Sequence, residues 1–374
     1  MVNVGVIGLG KMGLSHFSII NAHDNVKVVG VCDSSSYVLD VLSKYTGVDT
    51  FSDYEKMLES TGVEAVVIST PSKFHAPMVR ACLERGLHVF CEKPFCLDPA
   101  DSLALAKLAS DRGLVSQVGY HNRHVGAFAE AKRLLDLGVL GKVSHVLAEA
   151  YGPVVLKPKG STWRSRKEEG GGALYDYAAH PVDLLTWYFG RPETVSGTYL
   201  GHVFSEDTED EVFTTLDWGG GLSGQLSVSW SDESHRKMTT RVTVWGTNGK
   251  IYVDRQEIQV YLRDGVEAPE GYDTGWTVRY TTELSDEVDF YVRGEEYSAQ
   301  LATFVKRVEE GAIRGAADFV EAAAADEVLY AIANNDRAGV RPVATGETTD
   351  TTPRRRSWRE RRAARRAVRA ELKG

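Results

Sequence analysis

Asp176 and His180 stand four residues apart in the stretch 170–190, GGGALYDYAAHPVDLLTWYFG. If the apolar pattern after its three glycines forms a helix, that spacing puts a carboxylate and an imidazole on one face, one turn apart. Such a pair can hold a substrate hydroxyl and move its proton. The same spacing also fits a surface pair or a satisfied core histidine, so its meaning depends on what the rest of the chain supplies.

The first third of the chain supplies a phosphate cradle. Residues 2–7, VNVGVI, read as a short strand, and Gly8-Leu9-Gly10-Lys11-Met12-Gly13 leads from it into a helical segment. This is G-x-G-x-x-G between strand and helix. The first glycine permits the turn, the second lets backbone approach a pyrophosphate, and the third lets the helix pack on the strand. Unpaired N–H groups at the helix start then favour a phosphate. A second strand, residues 26–32, ends at Asp33, twenty residues past Gly13. A carboxylate there can accept hydrogen bonds from an adenosine ribose and would repel a 2′-phosphate, which favours NAD. Ser34 and Ser35 could donate to such a phosphate, so NADP stays open.

The elements that must position these groups alternate in type. Helices are expected at 37–45, 54–60, 75–85 and 99–111, and strands at 64–69, 87–91 and 115–120. Strands alternating with helices make a doubly wound parallel sheet whose ligands lie at the carboxyl ends of the strands. Thr70-Pro71, Glu92, Lys93 and Tyr120 fall at such ends. Lys93 precedes a proline, which holds it out of helical conformation. Position alone would sooner suit an exposed turn lysine.

Past Tyr120 the texture changes. After a helix at 127–137, β-rich runs appear at 144–151, 194–200, 211–218, 222–230, 239–245, 249–253 and 257–263. Gly219-Gly220-Gly221 and Asn248-Gly249 separate several of them, as antiparallel hairpins require. Leu226, Val228 and Trp230 alternate with Gln225, Ser227 and Ser229, so one face is buried and the other more polar. The helix of 170–190 would cover the apolar face. The outward rows read as largely small and polar, with Trp245 and Tyr261 as exceptions. Residues 297–334 add one or two core helices.

Composition bounds the rest. At 374 residues two domains are expected, with the division at residues 1–122 and 123–344 and a basic tail at 345–374. Hydrophobic content of 43% and charged content of 25% suit a globular protein. Residues 353–374 hold ten Arg or Lys and two Glu; that net of +8, against -9 for the whole chain, leaves -17 for residues 1–352. An acidic body argues against nucleic acid as main partner. The tail reads as a solvated charge run, with RNA, anionic lipid or the acidic body itself as alternatives. Cys32, Cys82, Cys91 and Cys96 show no zinc spacing and read as reduced thiols, and no metal site is expected. No apolar run approaches a membrane span and Met1 leads directly into a strand, so a cytoplasmic location is expected.

The ordered set GLGKMG, Asp33, TPSKFHAPMVRACLERGLHVFCEKP, GYHNRH, WR and GGGALYDYAAHPVDLL resembles the Gfo/Idh/MocA oxidoreductase family over roughly residues 2–345. The resemblance implies an α/β N-terminal Rossmann domain and an α+β C-terminal domain with a large, mostly antiparallel, open-faced sheet. It implies hydride transfer between NAD or NADP and a secondary alcohol or ketone of a sugar, inositol, aminocyclitol or sugar nucleotide. Lys93, Asp176 and His180 match its catalytic cluster. Cofactor contacts are implied from Gly8, Gly10, Lys11, Met12, Gly13, Asp33, Thr70, Pro71, His75 and Glu92. Trp163 and Arg164 match its WR element near the substrate cleft. His121 and Asn122 stand where the family often carries an apolar residue and an arginine, with Arg123 following, a departure that bears on the substrate. Dimers or tetramers through the open sheet face are implied too. The residues leave open whether Lys93 or His180 carries the proton. Two other uses of the fold are an NAD-sensing regulator without catalysis and a redox-assisted glycosidase or epimerase with no net NADH.

Overall fold

A computed structural model describes residues 1–60, 62–155 and 163–335, so the expectation of a basic tail at 345–374 lies outside the described residues. The first sheet is built from β1 (Val2–Ile7), β2 (Val26–Cys32), β3 (Thr50–Phe51), β4 (Ala65–Ile68), β5 (His88–Cys91) and β6 (Ser116–Val118). All neighbours run parallel in the order β3-β2-β1-β4-β5-β6. That order reverses direction between β1 and β4, the crevice where this architecture takes its ligand. Val66, Val67 and Ile68 are wholly enclosed, because helices cover both faces and no polar alternation is needed.

The helices between these strands are α1 (Lys11–Asn21), α2 (Ser36–Thr46), α3 (Tyr54–Ser60), α4 (His75–Glu84) and α5 (Pro99–Asp111). For α5 the local signal is complete: Asp98 accepts from the N–H of Ala100 at 2.9 Å, and Pro99 takes the first helical position, where no N–H is needed.

After α6 (Gly126–Asp136) come β7 (Val143–Tyr151), the covering helix α7 (Ala179–Phe189) and the strands β8 (Thr194–Gly201), β9 (Glu211–Asp217), β10 (Ser223–Ser229), β11 (Arg241–Gly246), β12 (Gly249–Asp254), β13 (Glu257–Leu262) and β14 (Gly275–Tyr280). They form one sheet in the order β14-β13-β12-β11-β7-β10-β9-β8, antiparallel except where β7 and β10 run parallel. The strand β14 was not anticipated. Its large residues, Trp276, Val278 and Tyr280, alternate toward solvent rather than the core. With Tyr199, Phe213 and Tyr261 also exposed, the outward face is richer in apolar groups than the small and polar rows expected of it.

A single turn, α8 (Thr281–Leu284), precedes α9 (Glu295–Glu310) and α10 (Phe319–Asn335). These last helices return to the first sheet. Leu301, Phe304 and Val305 of α9 share a core with Val4, Val6 and Phe90, and the Phe90 and Phe304 rings meet edge to face at 5.9 Å. Arg307 donates to the Ser116 carbonyl at 3.0 Å and Gln117 donates to the Gln300 carbonyl at 2.8 Å, which covers the β6 edge. Both sheets therefore belong to one compact unit. Among the described residues no helix is long and apolar enough to cross a membrane.

Candidate active site

The glycine turn has the three-part geometry its chemistry requires. Gly8 sits at φ 88°, and a Cβ there would lie 2.9 Å from the Ser69 carbonyl oxygen. A Cβ on Gly13 would lie 1.8 Å from the Gly8 carbonyl oxygen, so no other residue lets α1 pack there. A Cβ on Gly10 would meet nothing within 4 Å: the turn is open where a pyrophosphate needs backbone. Lys11 and Met12 begin α1 beside that opening. Asp33 braces it, accepting from the Leu9 N–H at 2.6 Å and from the Ser35 N–H at 2.8 Å.

At the next strand ends, His75 is 1% exposed and its ring nitrogens lie 2.9 Å from the carbonyl oxygens of Thr70 and Pro94. Burial lowers its pKa more than these contacts raise it. It is a strut between the Thr70-Pro71 turn and the Glu-Lys-Pro turn, and the cofactor contact expected of it is not one its nitrogens are free to make. The Lys93–Pro94 peptide is cis.

Lys93 emerges from the mouth of the first sheet and donates from Nζ to the Asp176 carbonyl oxygen at 2.8 Å and to Asp176 Oδ1 at 3.2 Å. Arg164 donates from Nε to the other carboxylate oxygen at 2.7 Å, with its guanidinium 4.6 Å from the ring of Trp163. Burial pushes the Asp176 carboxyl up, but the charges and hydrogen bonds of Lys93 and Arg164 win and hold it below the usual aspartate range. The carboxylate stays ionised.

Asp176 and His180 do not share a regular α-helix. Residues Leu174–Ala178 form a π turn that runs into α7. Its start is pinned by Glu209, whose side chain accepts from the Leu174 N–H at 2.8 Å and whose backbone oxygen accepts from the Ala173 N–H at 3.0 Å. Gly172, at φ 109°, leaves room for that carboxylate; a Cβ would lie 2.0 Å from it. Single π turns recur at functional sites because they re-aim side chains within a helix.

His180 is 3% exposed, and its Nδ1 has no hydrogen-bond partner. Burial, then the charges of Lys93 and Arg255, lower its pKa well below the ordinary histidine value, so the ring is neutral. His121 meets it edge to face at 4.8 Å and stacks on Tyr297 at 4.6 Å. Asn122 is buried with neither amide atom hydrogen-bonded. Arg123 sits elsewhere: its side chain is 1% exposed and bonds Asp183 through Nε and Nη2 and Glu321 through Nη1. With its guanidinium held in a buried ion cluster, the substrate contact expected of it finds no support.

Four residues of this neighbourhood escaped sequence reasoning: His16 on α1, Glu209, Arg255 and Tyr297. Arg255 occupies the turn between β12 and β13 and pairs with Glu296. The only local signal was the helical pattern that carries Tyr297; the others act through partners distant in the chain. Among the described residues no three His, Cys, Asp or Glu side chains form a metal cluster.

Comparison with known proteins agrees with this geometry. Residues 2–120 match the model of the oxidoreductase family with an NAD-binding Rossmann fold, and residues 128–252 match the GFO/IDH/MocA C-terminal domain. The 2,7-anhydro-N-acetylneuraminate hydratase of Escherichia coli is 28% identical over 71% of this chain and 71% of its own length. The scyllo-inositol 2-dehydrogenase (NAD(+)) of Bacillus subtilis is 28% identical over 67% of this chain and 73% of its own. In fold the chain is similar to a levoglucosan dehydrogenase solved with NADH, at a TM-score of 0.79 and 22% identity, covering 89% of this chain and 96% of that one. The glycine turn, the six-stranded parallel sheet, the eight-stranded sheet and both matched models place the chain in the Gfo/Idh/MocA family of NAD-binding oxidoreductases.

Proposed function

We propose that the chain oxidises a secondary alcohol of a polyhydroxylated ring, or reduces the matching ketone, with NAD as hydride carrier. The substrate is a sugar, an inositol or aminocyclitol, or a sugar nucleotide. Residues 1–122, with α9 packed on their sheet, carry the cofactor side, and residues from 123 onward, with His121 and Asn122 at the boundary, the substrate side. The observation that carries the reading is the meeting of Lys93, from the first sheet, with Asp176 one turn from His180.

NAD supplies hydride acceptance when bound; the protein must supply orientation and proton handling. The residues fit the cofactor. The open backbone at Gly10, between Gly8 and Gly13, would hold the pyrophosphate, and the braced Asp33 would hold a ribose hydroxyl while repelling a 2′-phosphate. NADP is the less favoured alternative. Thr70, Pro71 and Glu92 line the same strand ends.

Two acceptors, both on Asp176, engage the Lys93 ammonium, which leaves its third N–H for a substrate hydroxyl. His180 is neutral and buried near the cations Lys93 and Arg255, so it resists a positive charge. We therefore assign the proton to Lys93 and give His180 a hydrogen bond to the same hydroxyl. Asp176 orients the lysine, Arg164 orients Asp176, and His121, Asn122 and Trp163 wall the substrate side. The exposed Tyr199, Phe213 and Trp276 on the outer sheet face support a homo-oligomer, dimer or tetramer.

The test is NADH appearance across a panel of inositols, aldoses and sugar nucleotides, with NADP in parallel. Tight NAD binding without turnover on the whole panel would favour a sensor instead. A second reading has a specific motive, the hydratase among the relatives. Hydration leaves the oxidation level of a substrate unchanged, so a product formed with no net NADH would point to transient oxidation at this site.

A further inference from the structure

His16 lies in the middle of α1, on its buried side, with no solvent exposure. Its Nε2 is 2.6 Å from Glu92 Oε1, and its ring meets Phe90 edge to face at 5.3 Å. The other oxygen of the same carboxylate accepts from the backbone N–H of Lys93 at 3.2 Å. A Cβ on Gly119 would lie 3.1 Å from the carboxylate, so the end of the β6 segment closes over it. Neither His16 nor Glu92 touches Asp176, yet together they form the floor from which Lys93 rises.

We propose that His16 is a positioning residue: by donating from Nε2 it keeps the Glu92 carboxylate aimed at the Lys93 backbone, and so sets the direction in which the lysine leaves the strand end. The role rests on reading Lys93 as the proton carrier. The groups facing Glu92 are His16 from α1, His75 from α4, Tyr297 from α9, and Lys93 and Cys91 from its own strand. Burial pushes the Glu92 carboxyl up, and the hydrogen bond and charge of His16, with Lys93, hold it below the usual glutamate range. Without His16 the carboxylate loses the N–H that holds Oε1 in place, and its grip on the Lys93 backbone loosens. Lys93 Nζ then leaves its two acceptors on Asp176 more often and stands free for longer.

The experiment is acetylation of lysines by acetic anhydride at fixed pH, read by mass spectrometry on the full-length protein. The set is wild type, His16→Leu, His16→Gln, Glu92→Gln and the double variant His16→Leu/Glu92→Gln. Lys93, its Nζ free more of the time, should be labelled about threefold faster or more in His16→Leu and in Glu92→Gln, the worth of one lost hydrogen bond. The double variant should be no faster than either, and His16→Gln, which keeps an N–H donor, should match wild type. Lys11 and Lys73 should be unchanged throughout, which a general loosening of the fold would not give. An unchanged Lys93 rate in Glu92→Gln, or effects that multiply in the double variant, would overturn the proposal. Should His16→Leu fail to fold, His16→Gln decides: a rate like wild type supports the role and a rate like Glu92→Gln overturns it. No turnover enters the measurement, so a failed substrate panel would sink the dehydrogenase reading without touching this result.

Discussion

Lys93 Nζ stands 3.2 Å from Asp176 Oδ1, across 83 residues of chain. One residue lies two positions past the end of β5 in the parallel sheet and the other sits in the π turn before α7, so the contact exists only when both segments are folded against each other. General acid–base groups contribute about 10²–10⁴-fold to rate. Lys93→Ala should therefore lower kcat by about that factor while leaving the dissociation constant of NAD within about twofold, since the glycine turn and Asp33 do not depend on the ammonium. Steady-state kinetics and NAD titration check both halves, and wild-type turnover would remove Lys93 from the mechanism.

Gly10 and Gly13 should separate cofactor binding from folding. The Cβ of Gly10→Ala would meet no protein atom, so the melting temperature should hold while NAD affinity falls by about tenfold or more as the methyl fills the pyrophosphate's approach. Gly13→Ala would drive a Cβ into the Gly8 carbonyl at 1.8 Å and should lose both affinity and stability. Thermal melts beside NAD titration would show it; equal behaviour of the two variants would contradict the reading of the turn.

Much of this site was legible because its requirements are local. Glycines that must be glycines, a carboxylate at a strand end and a lysine before a proline are adjacent in the chain to the elements that display them, and α5 has the bounds its cap and proline announce. The π turn was not legible, because the residue that imposes it, Glu209, lies 35 positions beyond Leu174. The same holds for His75 and Arg123. Their residue types suit ligands, but carbonyl oxygens 5 and 19 positions away and carboxylates 60 and 198 positions away take them into the frame. The strand β14 escaped because its apolar alternation points outward, where patterning arguments expect polarity.

Asp33 makes cofactor choice testable at the glycine turn. Its Oδ2 accepts from the Leu9 N–H at 2.6 Å, and Asn in its place keeps an acceptor oxygen there, gives up the acceptor for the Ser35 N–H and removes the charge. Like charges brought together cost several kcal/mol, so Asp33→Asn should raise the NADP-to-NAD ratio of kcat/KM by about ten- to hundredfold. An unchanged ratio would mean that discrimination lies elsewhere in the strand-end turn.

Arg123 should behave as part of the frame. Its Nη2 lies 2.7 Å from Asp183 Oδ1, both side chains being 1% exposed, so Arg123→Met leaves a buried carboxylate without its cation. Breaking such a pair costs about 3–5 kcal/mol. The loss should appear in urea unfolding, with KM for substrate little changed in the protein that remains folded. The pH dependence fixes its sign. Burial already raises the Asp183 carboxyl above its usual value despite the opposing pull of Arg123, and removing Arg123 raises it further. A folded-state carboxyl raised above its unfolded value binds the proton more tightly when folded, so stability is recovered as pH falls through that raised value toward the ordinary aspartate range. The deficit of Arg123→Met should therefore be largest at neutral pH and shrink in mild acid. A deficit independent of pH would show that packing around the guanidinium, and not the stranded charge of Asp183, carries the cost.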